Sequence, residues 1–397
     1  MTPFTQQATK KEAHGPAQTS NDNADGPLND YVSGTSSTSN RSDGLPEDGR
    51  SILLNSSNWD NLDKLAIWLF YEADLRVQGY HIMGSSFYKT LGKGDFNVPP
   101  AALDPFHPTD LESFVHHFHP RDLLSTRTSS TWQPGVDICF GIDRFQRQVV
   151  MKAVPNDTPE LAVLRQFSCP PLRADKRNRV IPVLDFVATK HDFVIVVMPA
   201  WGMCWQLPPC GNMTTRVELA IKLAECLQLL HECGVAHGDI QPFNILINHV
   251  DSRNFSETSH NDFRQSHNIE YAYIDFGSAF LFPPGTSCVG CPTTIPPDNI
   301  SSPEQQLAME SEAIPVDLLA ADVYNFGKTL EGELCAAFEV HILCVHPLFM
   351  AYNVQAYGEA HIPDPKEYKC ILREMTNEEP LQRPSAAAVL KFLLTIR

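Results

Sequence analysis

The residues of this chain best equipped for chemistry lie in two short segments. One reads His237-Gly238-Asp239-Ile240-Gln241-Pro242-Phe243-Asn244 and runs into Ile245-Leu246-Ile247; the other reads Tyr273-Ile274-Asp275-Phe276-Gly277. Each sets a carboxylate beside an apolar, strand-like run. Carboxylate and carboxamide oxygens are hard ligands, so Asp275 with Asn244 suits magnesium. A phosphoryl donor such as ATP needs that ion to neutralise its triphosphate. Asp239 stands five residues before Asn244, where it can accept or orient the proton of an acceptor hydroxyl. A single Asp of this kind reads as a turn residue or helix cap; the two motifs in this order point to phosphoryl transfer.

The elements that must position these side chains fall into two textures. From about Ser129 the chain shows strand-like runs at 136–142, 148–154, 181–188 and 193–198. One helix interrupts them, Thr158–Phe167, with Thr158 as cap and Pro159 in its first turn. Beyond Pro199 helical periodicity takes over, at 215–233, 322–337, 365–376 and 385–396. The pattern predicts an α+β fold with a small β-rich part followed by a larger helical one. The polar residues 251–270 lie between two strand-like runs and read as an exposed insertion loop.

Ahead of this region, residues 58–128 read as a helical and irregular extension. Trp59, Leu62, Leu65, Ala66, Leu69, Phe70 and Ala73 recur at helical spacing behind a cap at Asn58. This stripe is expected to pack on the main domain, with docking of a partner through the 59–73 helix as its other use. Residues 79–127 carry Pro99, Pro100, Pro105, Pro108 and Pro120 and read as irregular connection with a short helix at Thr109–His117. Residues 1–57 read as a disordered tail, because from Thr5 to Gly49 the only large apolar residues are Leu28, Tyr31, Val32 and Leu45.

Composition removes several classes. The chain has 397 residues and is 43% hydrophobic, enough for a substantial core. Its 30 basic and 47 acidic side chains give a net charge of -17, which argues against a surface built to grip nucleic acid. The 11 cysteines lack the dense spacing of a small secreted scaffold and are expected to be reduced thiols. The start has no apolar signal core, and the most apolar stretch, Phe193 to Trp205, is too short and interrupted to cross a bilayer. These features lead us to expect a soluble protein, cytoplasmic or nuclear, with no membrane partner.

HGDxxxxN followed by IDFG resembles the protein kinase family, whose catalytic loop and magnesium motif read HRDxxxxN and DFG. The resemblance covers residues 130–397, and further landmarks follow in order. Lys152 in VVMKAV matches the strand lysine that holds the α and β phosphates, and Glu160 in PELAVL matches the helix glutamate that orients it. Ser302-Pro303-Glu304 stands where the family has APE, and Asp322-Val323-Tyr324-Asn325-Phe326-Gly327 resembles DVWSFG. Gln382-Arg383-Pro384 matches the late arginine that pairs with the APE glutamate, here Glu304. The resemblance implies a two-lobed domain over 129–397, with an N-lobe at about 129–198 and a C-lobe at about 202–397. It implies ATP and magnesium as cofactors and a serine or threonine hydroxyl of a protein as substrate. The backbone of Met198, Pro199, Ala200 and Trp201 would hold adenine, Asn244 and Asp275 the metal, and Asp239, Lys152, Glu160 and Gln241 would be catalytic. The segments QGYHIM and DICFGID are similar to divergent kinase-like proteins of mushroom-forming fungi.

Four positions depart from the family. Its GxGxxG is absent, with Gly135 and Gly141 near the place, which predicts a weaker backbone cradle for phosphate. Only seven residues separate Lys152 from Glu160, which predicts a less secure ion pair. Gly238 replaces the arginine with which many kinases bind a phosphorylated activation segment. Gln241 replaces a lysine that touches the γ-phosphate, and a neutral amide donates a hydrogen bond without charge. HGDxxxxN without that lysine also resembles small-molecule phosphotransferases of the aminoglycoside and choline kinase type, which lack the SPE, DVYNFG and QRP succession. A pseudokinase scaffold is the other alternative. Among weaker signals, Cys288-Val289-Gly290-Cys291 reads as loop thiols rather than zinc ligands, and His107, His116, His117 and His119 as surface histidines. Thr293, Thr294, Ser301 and Ser302 are candidates for phosphorylation, and Phe276 is expected to stack on His237.

Overall fold

The computed structural model describes residues 61–82, 137–144, 147–202, 213–248, 269–283, 289–291, 301–310, 315–334 and 366–397, all within the unit Leu45–Arg397. Outside the described residues lie the 1–57 tail, the helix expected at Thr109–His117, the four histidines from His107 to His119, Gly135, residues 251–268 of the 251–270 insertion, Cys288, Thr293 and Thr294. The fold is α+β. Its first part is helix α1 (Asn61–Val77), strands β1 (Tyr80–Ile82), β2 (Ile138–Asp143) and β3 (Gln148–Pro155), helix α2 (Pro159–Ser168), the single turn α3 (Pro170–Arg173), and strands β4 (Asp185–Ala188) and β5 (Phe193–Pro199). These strands form one five-stranded antiparallel sheet in the order β1-β2-β3-β5-β4.

Alternation along β3 decides what each face of the sheet does. Val149, Met151 and Ala153 are buried on one face, in a cluster with Trp68, Tyr71 and Leu75 of α1. Lys152, between them in sequence, belongs to the opposite face, which leaves it for α2. The helix at the N-terminus therefore packs on the sheet as expected, through Trp68, Tyr71 and Leu75 with Phe70 of the predicted stripe against the same cluster, while Ala73 of that stripe is exposed. Burial scales with apolar area, so the large aromatic rings at 68 and 71 take the sheet face ahead of the small Ala73. The ring of Phe70 lies 4.3 Å from the Lys190 ammonium, and the Tyr71 hydroxyl meets Nδ1 of His191.

Residues 79–127 are not irregular at their start. After α1, Gly79 takes φ of +89°, a left-handed cap that turns the chain straight into β1, which pairs with β2 from Tyr80↔Asp143 to Ile82↔Gly141. The extension thus contributes a helix and an edge strand to the main sheet.

The chain leaves β5 through Gly202, whose backbone exchanges two bonds with Ile247 of the second part, at 2.8 and 3.0 Å. That part comprises α4 (Met213–Glu232), β6 (Val235–Ala236), β7 (Ile245–Ile247), β8 (Tyr271–Tyr273), β9 (Phe280–Leu281), β10 (Val289–Cys291), α5 (Pro303–Glu310), β11 (Val316–Asp317), α6 (Leu318–Leu334), α7 (Lys366–Met375) and α8 (Ala386–Ile396). Strands pair as β7 with β8, β6 with β9 and β10 with β11. Helix α4 is buried around most of its circumference, with α8 along it, and α7 packs on α6. One core runs from α2 through β5 and α4 to α6, α7 and α8. Glu304 of α5 meets Arg383 in a buried bidentate ion pair at 2.5 and 2.8 Å. Among the described residues no helix is long and apolar enough to cross a membrane.

Leu75→Ala should lower unfolding stability by about 2–5 kcal/mol, the range for truncating a fully buried leucine. Urea unfolding followed by circular dichroism measures this, and an unchanged midpoint would detach α1 from the cooperative unit.

Candidate active site

Lys152 is carried to the site by β3 and met there by α2. The Thr158 hydroxyl donates to Pro155 O at 2.9 Å and accepts from Leu161 N at 3.4 Å, so one side chain both ends the strand link and caps the helix. With Pro159 in the first turn, the chain doubles back at once and Glu160 faces the strand it has just left. Nζ of Lys152 lies 2.6 Å from Oε1 of Glu160. The short connection, expected to weaken this pair, is what makes it direct.

The same ammonium reaches Oδ1 of Asp275 at 2.9 Å. Asp275 is the one non-glycine residue among those described with positive φ, at 61°. Left-handed backbone costs a residue with a Cβ roughly 1–2 kcal/mol, and aspartate tolerates it better than most. Burial opposes charge on Lys152, but the two carboxylates outweigh it and hold the ammonium above the ordinary lysine range. For Asp275 too burial acts against the charge, and Lys152 reverses it, leaving the carboxyl below its usual value. The side chains of Lys152 and Glu160 are 14% and 9% exposed and that of Asp275 49%, so the triad opens to solvent on the Asp275 side.

The second group is built on the loop between β6 and β7. Asp322, fully buried at the start of α6, accepts from His237 N and Gly238 N, both at 2.8 Å, and meets Nε2 of His231 at 3.1 Å. His237 Nε2 contacts Ile274 O at 3.1 Å, and its ring packs in the core against Phe276 with centroids 4.7 Å apart, the planes tilted by 42° rather than stacked. Gly238 has φ of +79°, and a Cβ there would stand 2.3 Å from Ser278 O. The absence of a side chain at 238 is thus a requirement of the backbone path, beyond the loss of an arginine.

Beyond this turn, Asn244 Nδ2 donates to Asp239 O at 2.9 Å and to Oδ2 at 2.8 Å. Gln241 Nε2 donates to both Asp239 carboxylate oxygens, at 2.9 and 3.0 Å. Gln241, read from the sequence as a neutral stand-in at a phosphate, is turned onto Asp239. Burial raises the Asp239 carboxyl above its usual value, against the lowering effect of the Gln241 bonds, His237 and Asn244.

The two groups meet through β7 and β8. Ile245 pairs with Tyr273, and Ile274 N donates to Asn244 O at 3.0 Å, so Asn244 and Asp275 flank the same end of one two-stranded ladder. Since the Asn244 amide nitrogen is committed to Asp239, its carbonyl oxygen and the half-exposed Asp275 carboxylate are the hard donors there for a cation such as magnesium. No group of three His, Cys, Asp or Glu suited to a metal occurs among the described residues. Met198, Pro199, Ala200 and Trp201 lie at the end of β5, before the Gly202–Ile247 bridge; Ala200 N donates to Gln148 O and Trp201 N to Pro199 O.

Gly141 sits inside β2 where a Cβ would meet His81 O at 2.7 Å, so this glycine admits strand β1. The reading of Ser301 and Ser302 as candidates for phosphorylation is corrected. Ser301 and Ser302 are buried, and Ser302 gives its N and Oγ to Gln305 Oε1 at 3.1 and 3.0 Å, so neither hydroxyl is offered to a modifying enzyme in this fold. Gln305 itself was missed, although Ser302-Pro303-Glu304-Gln305 spells a capping box. It also donates to Gly238 O at 3.2 Å and accepts from Asn325. No protein-family model matches the chain, and no curated protein matches it.

Carboxyl carbon NMR should find Asp239 titrating above, and Asp275 below, the ordinary aspartate value. Gln241→Leu removes two bonds to the ionised Asp239 and should move its midpoint further up. A depressed Asp275 supports folding above its unfolded pKa and ceases to do so as pH falls through its folded value; a raised Asp239 supports it only while protonated. Equal midpoints for the two aspartates in the wild type would contradict this electrostatic picture.

Proposed function

We propose that this chain transfers the γ-phosphoryl group of ATP to serine or threonine hydroxyls of a protein, within a two-lobed protein-kinase-like domain. The observation that carries this reading is the convergence of Lys152 on Glu160 and Asp275 beside an Asp239 held by Asn244 and Gln241. In it, the Lys152 ammonium binds the α and β phosphates and Glu160 keeps it aimed. Backbone groups of Met198–Trp201 are read as the adenine support. Magnesium, held by Asp275 and Asn244, supplies the charge that neutralises the triphosphate. The acceptor oxygen attacks the γ-phosphorus, the bond from that phosphorus to the β-bridging oxygen breaks, and ADP leaves. Asp239 takes the hydroxyl proton, and its raised pKa makes it a better acceptor than an ordinary aspartate.

A protein rather than a small molecule is the acceptor in this reading because of the Glu304–Arg383 pair. It belongs to the landmarks that the small-molecule phosphotransferases lack. The scaffold reading finds support in Lys152, whose charge is already matched by two carboxylates without any phosphate.

Purified chain incubated with labelled ATP and magnesium should label protein substrates. Label confined to small alcohols or amino sugars would favour the small-molecule reading, and no label on any acceptor would favour the scaffold. Asp239→Asn should lower turnover by roughly 100-fold or more while nucleotide binding persists, the scale of a lost general base. Wild-type turnover in that variant would remove Asp239 from its role.

A further inference from the structure

From Val235 to Asn248 all residues are described, and every one is buried or half-buried except Phe243, which is 49% exposed. The most exposed side chain along this loop is therefore an aromatic ring, the kind of group water favours least. Single exposed apolar residues are common on protein surfaces, and Val77, Leu307, Leu381 and Leu394 are of that kind. They sit on α1, on α5, on the turn before Arg383 and on α8, none of which carries Lys152, Glu160, Asp239, Asn244 or Asp275. Phe243 lies between Asp239 and Asn244.

Its display is also enforced. Pro242 restricts φ at the start of the one-turn 3₁₀ helix Pro242–Asn244, and Asn244 N donates to Gln241 O at 3.0 Å. Gln241 on one side and Asn244 on the other are both tied by their amides to Asp239. Turning the ring into the core would require these bonds to break, and Ile240 and Ile245 already fill the core positions of the loop.

We propose that Phe243 reads the residue flanking the accepting hydroxyl, selecting protein segments in which serine or threonine stands beside a large apolar side chain. This rests on the phosphotransfer reading and names its substrate class. Between His237 and Asn248 Asp239 is the sole Asp, Glu, Lys or Arg, so outside the reacting carboxylate this loop offers a flanking side chain no charge. An acidic flank meets the repulsion of Asp239 and Asp275, a basic flank competes for the Asp239 carboxylate that must take the hydroxyl proton, and an apolar flank covers the ring.

The test uses fluorescent peptides with one serine flanked by Phe or Leu, by Ala, by Lys or by Glu. Each is measured with the full chain for binding by anisotropy and for transfer of label from ATP. The apolar-flanked peptides should bind on the order of 10-fold more tightly than the others. Phe243→Leu should keep most of that preference and Phe243→Ala should abolish it, with folding of both checked by urea midpoint. Equal binding of all peptides, or a preference that survives in Phe243→Ala, overturns the inference. Label transfer without any flank preference overturns it while leaving phosphotransfer standing. Phe243-dependent binding without transfer supports recognition by Phe243 and overturns the catalytic reading.

Discussion

The site depends on a single buried cation. Lys152 joins β3, α2 and the segment after β8 through bonds to Glu160 and Asp275. An ammonium that has left water must be matched by charge and hydrogen bonds or lose its proton. Two carboxylates at contact distance meet that demand and tie β3 to both α2 and the segment after β8. Removing either would leave a buried charge under-compensated, so each member of the triad constrains the other two.

A second buried charge plays the matching part below. Asp322, fully out of solvent, takes two backbone N–H groups of the loop and the ring of His231. Hydrogen bonds to a charged acceptor are the strong ones, and here they fix a glycine in left-handed backbone within contact of Ser278 O. The loop then has no freedom before Asp239, and the amides of Gln241 and Asn244 remove what remains after it. The pKa directions of Asp239 and Asp275 follow from the same arrangement. Asp239 is held by neutral amides that only partly offset burial, whereas Asp275 has a full positive charge beside it.

Much of this was legible in the residues. Alternation marked β3, a continuous apolar run marked β5, and the Thr158–Pro159 pair marked the start of α2, because caps and strand patterns are local signals read over a few residues. Ala73 of α1 was misplaced because spacing alone does not rank Trp68 and Tyr71 above it. Strand β1 was hidden for a related reason: three residues are too few for a pattern, and only the neighbouring β2 makes Tyr80–Ile82 a strand.

By itself, the sequence determined which side chains were chemically able to act, which elements would carry them, and that Phe276 and His237 would lie in the core. What it could not contain was the company each polar group keeps. Lys152 and Asp275 are 123 positions apart, Gly238 and Asp322 are 84 apart, and Gln305 and Gly238 are 67 apart. Local propensity acts over one or two turns of chain, while a hydrogen bond or an ion pair is decided by distance in space. Hence Gln241 faces a carboxylate, Ser302 is closed off, Gly141 admits a strand and Phe243 looks outward from its loop. Each of these follows from tertiary packing, which satisfies buried polar groups with whatever partner the fold brings near.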